Sequence, residues 1–262
     1  MKIILHADDF GFDKDTCQAT IELFEKGILK SATIMVNMPA SCIAIEYARQ
    51  HPEFSFGVHL TYVDGLQPVS HPQEISSLTD NDGLFLPSNV VRKKALMGKI
   101  HKKDIVIESL GQINVLKEAG ISVSHLDSHG HLHKFPVFLF AMKEICIQSG
   151  IHKIRRVQNV HLTKQPIFQP TTILNTLFDK YISSHFQTTD KFYMPANDMD
   201  SCWSDSLLKI ISCFAPQSVL EIGVHPGYME EWRKDEYRDI CEFANSIKEI
   251  KQYESINWKE IY

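Results

Sequence analysis

Ser124-His125-Leu126-Asp127-Ser128-His129-Gly130-His131-Leu132-His133 sets four histidines and an aspartate at every second position. Alternate side chains of an extended chain share one face, so His125, Asp127, His129, His131 and His133 point the same way for as long as the run stays extended. An interior cannot accept that many polar groups without partners. A metal ion with supporting hydrogen bonds would supply them. Gly130 is where the extended run is expected to break, which re-aims His131 and His133.

Outward from this stretch, short β-like runs alternate with helical patterns. Strands are expected over Lys2–His6, Ala32–Val36, Phe54–Leu60, Ile121–Asp127, Lys153–Arg156, Phe192–Met194 and Val219–Val224. Helices are expected over Lys14–Lys26, Ala40–Gln50, Asp104–Ala119, Val137–Gln148, Thr172–Ile182, Asp205–Cys213 and Tyr237–Ile250. Strand–helix alternation of this kind predicts a parallel sheet with right-handed crossovers. Thr61–Ser88, with Gly65, Pro68, Pro72, Gly83 and Pro87, reads as a long irregular connection suited to covering a substrate.

The strand ends choose between a barrel and an open sheet. His6-Ala7-Asp8-Asp9-Phe10-Gly11 ends the first strand, Gly57-Val58-His59-Leu60 the third, and Glu221-Ile222-Gly223-Val224-His225-Pro226-Gly227 the last. In a barrel such ends converge on one catalytic face, whereas an open sheet spreads them along a line. Taken singly, each has a plain structural reading: Asp8-Asp9 as a helix N-cap with an extra acid, and His59 as a satisfied core histidine. Together they describe a hydrolytic metal site. Two adjacent carboxylates leaving a strand are expected to face different ways, one to a metal and one to the reacting water. A histidine at the strand end, His225, suits a general acid because its ordinary pKa is near neutral. Asp127 is placed to hydrogen-bond a histidine and fix its tautomer.

Composition narrows the alternatives. The 262 residues suit one domain over 1–262, near the upper size of a single α/β barrel at about 250 residues. A net charge of −5 and the lack of any basic run argue against nucleic acid. Membrane insertion is not expected, because no apolar stretch approaches about 18 residues. MKIILHADDF has no export-signal core, and Cys17, Cys42, Cys146, Cys202, Cys213 and Cys241 lack CxxC spacing. Reduced thiols and a cytoplasmic setting are therefore expected.

HADDFG, GVHL, SHLDSHGHLH and EIGVHPG resemble, in order and spacing, the YdjC-like family, from Ile3 to about Ala244. Its best-known members are chitooligosaccharide deacetylases. The resemblance implies a distorted TIM-like (β/α) barrel and removal of acetyl groups from N-acetylated amino sugars. It implies a divalent metal, Mg2+, on Asp9, His59 and His129, with Asp8 as general base and His225 as general acid. Two imidazoles and a carboxylate would equally suit Zn2+. His125, His131 and His133, with Asp127, are expected to support the ligands or touch substrate. The 61–88 loop and the 158–195 segment match only loosely and are expected to shape the sugar pocket.

Other classes keep a place. A phosphoesterase would need two metals or an arginine clamp, for which Arg155 and Arg156 are the candidates, although at a strand end they read more simply as solvated basic residues. A glycosidase would need two carboxylates flanking a bond, for which Asp8 and Asp127 are the pair. A non-catalytic sugar- or metal-binding barrel is the third. Phe10, Trp203 and Trp232 read as packing rather than sugar platforms. Oligomeric state is open, a homodimer included.

Overall fold

The structure is a computed structural model whose described residues are 1–162, 170–195, 202–250 and 252–261. Residues 163–169, within the 158–195 segment expected to shape the pocket, lie outside the described residues. Its frame is a parallel sheet of β1 (Lys2–Phe10), β2 (Ser31–Ile34), β3 (Ser55–Leu60), β4 (Val123–Ser128), β5 (Lys191–Tyr193), β6 (Val219–Val224) and β7 (Glu254–Ser255). The order is β4-β3-β2-β1-β6-β5, with β7 added to the start of β1. Among the described residues, eight helices cover it: α1 (Lys14–Glu25), α2 (Ser41–Gln50), α3 (Ser88–Leu96), α4 (Lys102–Glu118), α5 (Pro136–Ser149), α6 (Pro170–His185), α7 (Trp203–Ile211) and α8 (Glu231–Lys248).

The sheet curls into the expected distorted barrel. Its two edges meet through residues 152–160, the stretch expected to hold a strand at Lys153–Arg156. That stretch makes isolated bridges instead of a ladder. Leu126 N–H donates to Lys153 O at 2.9 Å and Arg155 N–H to Leu126 O at 3.0 Å. On the other side Ile154 N–H reaches Gln187 O, and Asn159 and Val160 N–H share Phe192 O. So sparse a seam distorts the regular barrel form.

Period two along the strands explains the core. Ile3, Leu5 and Ala7 of β1, Phe56, Val58 and Leu60 of β3, and Leu220, Ile222 and Val224 of β6 are buried in one apolar cluster with helix residues such as Leu23, Phe24, Ile105 and Ile113. The intervening positions line the lumen; apart from Ile4, which packs on Trp258 at the bottom, they are largely polar: His6, Asp8, Ser31, Thr33, Ser55, His59, His125, Asp127 and Glu221, all buried. Gly57 leaves the space that His125 fills, since a Cβ there would lie 2.6 Å from its ring. Trp258, in a short turn after β7, plugs the bottom. It stacks on His125 at 4.3 Å, donates through Nε1 to Glu221 and through its backbone N–H to Ser55 Oγ.

Thr61–Ser88 is irregular, as expected, but it is fastened down. The anchors sit at i, i+4 and i+8 along α4, which puts them on one helix face. Asp104 accepts from Ser77 N–H, Glu108 from Val69 and Ser70 N–H, and Gln112 exchanges two hydrogen bonds with the Thr61 backbone. The segment is a fixed wall of the mouth.

Candidate metal centre and active site

β1 carries the decisive local distortion. Its pairing with β2 runs Ala7↔Ala32 and then Phe10↔Ile34, so β1 holds one residue more than its partner. This is a β-bulge, with Asp9 in the left-handed region at φ +57°. The bulge turns Asp9 towards the face that alternation already gives to Asp8. The expectation that the two carboxylates face different ways is corrected: both come within 4.8 Å of a His59 ring nitrogen. One set of ligand atoms, from Asp9, His59 and His129, converges within 4.8 Å, and another, from Asp8, His59 and Asp127, does the same.

Asp9 Oδ1 lies 3.3 Å from His59 Nε2 and 3.2 Å from His129 Nδ1. Its other oxygen accepts from Arg233 Nη2 at 3.0 Å. His59 is oriented from behind, Nδ1 facing Asp127 Oδ2 at 3.2 Å and Thr33 Oγ1 at 3.0 Å. Burial alone would strip the proton from His59, but Asp127 and Asp9 outweigh it and lift the imidazole to about 10. The same burial raises Asp9, yet the two histidines win and hold its carboxyl well below the usual range. Asp9, His59 and His129 fit a divalent cation on chemistry as well as spacing. They form a carboxylate–imidazole donor set, and the field that holds a proton on His59 would equally attract a metal ion, which competes with that proton.

Asp8 is buried; its Oδ2 accepts from Arg155 Nη1 at 2.6 Å, while Oδ1 makes no hydrogen bond and lies 3.6 Å from His6 Nε2. Burial raises its pKa against the pull of Arg155. His225 stands across from it, Nε2 3.7 Å from Asp8 Oδ2. The backbone N–H of His225 donates to Glu236 Oε1 at 3.0 Å, and the ring Nδ1 faces that oxygen at 3.7 Å. Burial opposes charging of His225, but Glu236, helped by Asp9 and Asp8, raises it to about 9.

Arg155 was expected in solvent, and it is fully buried at the centre of the lumen. It donates to Glu221 at 2.9 and 2.7 Å as well as to Asp8 and Asp127. Asp8, Asp127 and Glu221, from β1, β4 and β6, supply the counter-charge that a lone buried guanidinium would lack. Arg156 is held by Asp179 and the Thr189 and Asp190 carbonyls. Neither is available to clamp a phosphate. Asp8 and Asp127 share one nitrogen of Arg155, so they do not flank an open gap as a glycosidase pair would.

The alternating histidines separate by depth. The strand ends at Ser128, and Gly130 (φ +60°) and His131 (φ +52°) make the expected break. His125 is corrected: it lies on Trp258 beside His6 near the bottom and contacts neither the ligand set nor the mouth. His131 and His133 form a separate group with Asp127.

A cavity of about 550 Å³ opens over Asp9 and His129, walled by Met38, Val63, Trp232 and Arg233. Phe10 and Trp203 are packing, as expected. Trp232 instead faces the cavity, 5.8 Å from His225. Arg233, buried, lies 4.4 Å from the Trp232 ring and holds Asp9. It was not foreseen, because α8 begins six residues earlier than its apolar pattern shows.

The family model of YdjC-like proteins matches residues 2–257. The chain belongs to the YdjC-like family. It is similar to a carbohydrate deacetylase of Brevibacillus brevis, 30% identical over 88% of this chain and 83% of that one. A carbohydrate deacetylase of Clostridium beijerinckii is 26% identical over all of this chain and 93% of its own. The fold matches a crystal structure from Enterococcus faecalis, described as a putative cellobiose-phosphate cleavage protein, with TM-score 0.80 and 21% identity over 98% and 97% of the two chains. No helix among the described residues is long and apolar enough to cross a membrane.

Proposed function

We propose that this YdjC-like chain is a metal-dependent carbohydrate deacetylase that hydrolyses the acetamide of an N-acetylated sugar, 1–262 acting as one catalytic domain. One observation carries it. Asp9 and His129 line the cavity with His59 converging on them from behind, and a candidate base and acid, Asp8 and His225, come within 3.7 Å of each other. Relatives named carbohydrate deacetylases support the substrate class.

Asp9, His59 and His129 would hold the divalent ion, Mg2+ by family resemblance or Zn2+ by donor set. When bound, the ion polarises the amide carbonyl and stabilises the oxyanion. Asp8, which faces His225 through Oδ2, takes the proton of the attacking water. Glu236, facing the ring Nδ1, keeps His225 an imidazolium, which donates its proton to the departing sugar nitrogen. Acetate and a free amine result. Trp232 offers a face for the sugar ring. Six unpaired cysteines fit a reducing, cytoplasmic setting.

The test is acetate release from diacetylchitobiose with metal added back. His129→Ala, folded by circular dichroism, should abolish it; undiminished release would sink the ligand assignment.

A further inference from the structure

Beneath the mouth, β4 and the turn after it hold a second group of donors. Asp127, His131 and His133 each offer a ligand atom within 4.8 Å of the other two. In each, one polar atom is buried and without a hydrogen-bond partner: Asp127 Oδ1, His131 Nδ1 and His133 Nε2. Three such atoms in one cluster are costly unless something joins them.

The surrounding contacts leave one donor atom free on each residue. Asp127 commits its other oxygen, Oδ2, to Arg155 and His59, which leaves Oδ1 for this group. His131 presents Nε2 to the Met194 thioether at 3.3 Å, so a proton on Nε2 leaves the lone pair on Nδ1. His133 Nδ1 pairs with Ser128 Oγ at 2.7 Å and lies 3.7 Å from Asp127 Oδ1, which leaves Nε2 without a partner. His131 is also a non-glycine residue held at φ +52°, a conformation retained where the surroundings repay the strain.

We infer that Asp127, His131 and His133 form a second cation site, distinct from the mouth, that takes a divalent transition ion such as Zn2+. Two imidazoles and one carboxylate favour such an ion over Mg2+. Its role is structural. It staples the 129–134 turn, and with it His129, to the end of β4.

Protein stripped with chelator, dialysed against buffered Zn2+ and measured by elemental analysis tests this. The native chain should hold two ions, His131→Gln one, His129→Gln one, and the double variant none. Zinc-edge anomalous scattering should place the inner ion between His131 and His133. One ion in the native chain that survives His131→Gln and disappears in His129→Gln overturns the inner site and leaves the mouth assignment standing. One ion with the reverse pattern supports the inner site and sinks the mouth. Two ions retained in His131→Gln also overturn it. His133 is wholly buried, so His131→Gln, at a partly exposed position, is the primary variant; circular dichroism confirms its fold.

Discussion

The outer and inner faces of the strands make opposite use of the same alternation. Outside, Ile3, Leu5 and Ala7 pack on helices by shape and apolar area. Inside, His6 and Asp8 enter a lumen of carboxylates, imidazoles and one guanidinium. A lumen of layered aliphatic residues would be the commoner barrel filling. The outer face tolerates small losses independently, whereas the inner face is a network in which removing one member strands several others.

That contrast can be broken or sharpened by substitution. The largest effect is expected at Asp8→Asn: metal content unchanged, with kcat falling by about 10²–10⁴ as a general base is lost. Loss of metal instead would mean that Asp8 and Asp9 have exchanged roles. Next comes Arg155→Leu, which leaves Asp8, Asp127 and Glu221 buried without their counter-ion. Denaturant unfolding should show about 3–5 kcal/mol lost, or no folded protein; a loss below about 1 kcal/mol would mean that the lumen is not a network. Glu236→Gln should act on the pH profile. An acid raised to about 9 is charged below that pH and loses its proton above it, so kcat should fall as pH rises through about 9. Without the carboxylate that limb should move to lower pH, while an unmoved limb would show that His225 is not the acid. Smallest is Ile222→Val on the outer face, about 0.5–1.5 kcal/mol by thermal or denaturant melting, with activity kept.

Residues that obey alternation were legible in the sequence, and residues set by distant partners were not. Phe54–Leu60 and Val219–Val224 announce their strands because their outward positions are apolar. The pattern also put Asp127 and His129 on the correct face. It could not give depth, so His125, two positions before Asp127, was grouped with the site although it lies under it against Trp258. Nothing local marks Asp9 as left-handed; the bulge follows from pairing with β2. Arg155-Arg156 looks like surface charge because its carboxylate partners come from residues 8, 127, 179 and 221. A two-residue strand such as β7 has no period to read.

The plug formed by Trp258 has a consequence for the order of assembly. Met1 N donates to Gln252 O, Glu254 N–H to Met1 O, and β7 lies along the first residues of β1. The floor of the lumen is thus contributed by residues synthesised after everything it supports. Until residues 252–260 leave the ribosome, His125 and Glu221 have no indole between them and water. A nascent chain that has already made every site residue from Asp8 to His225 still has an open-bottomed barrel, and the catalytic end must wait for the far end to be sealed.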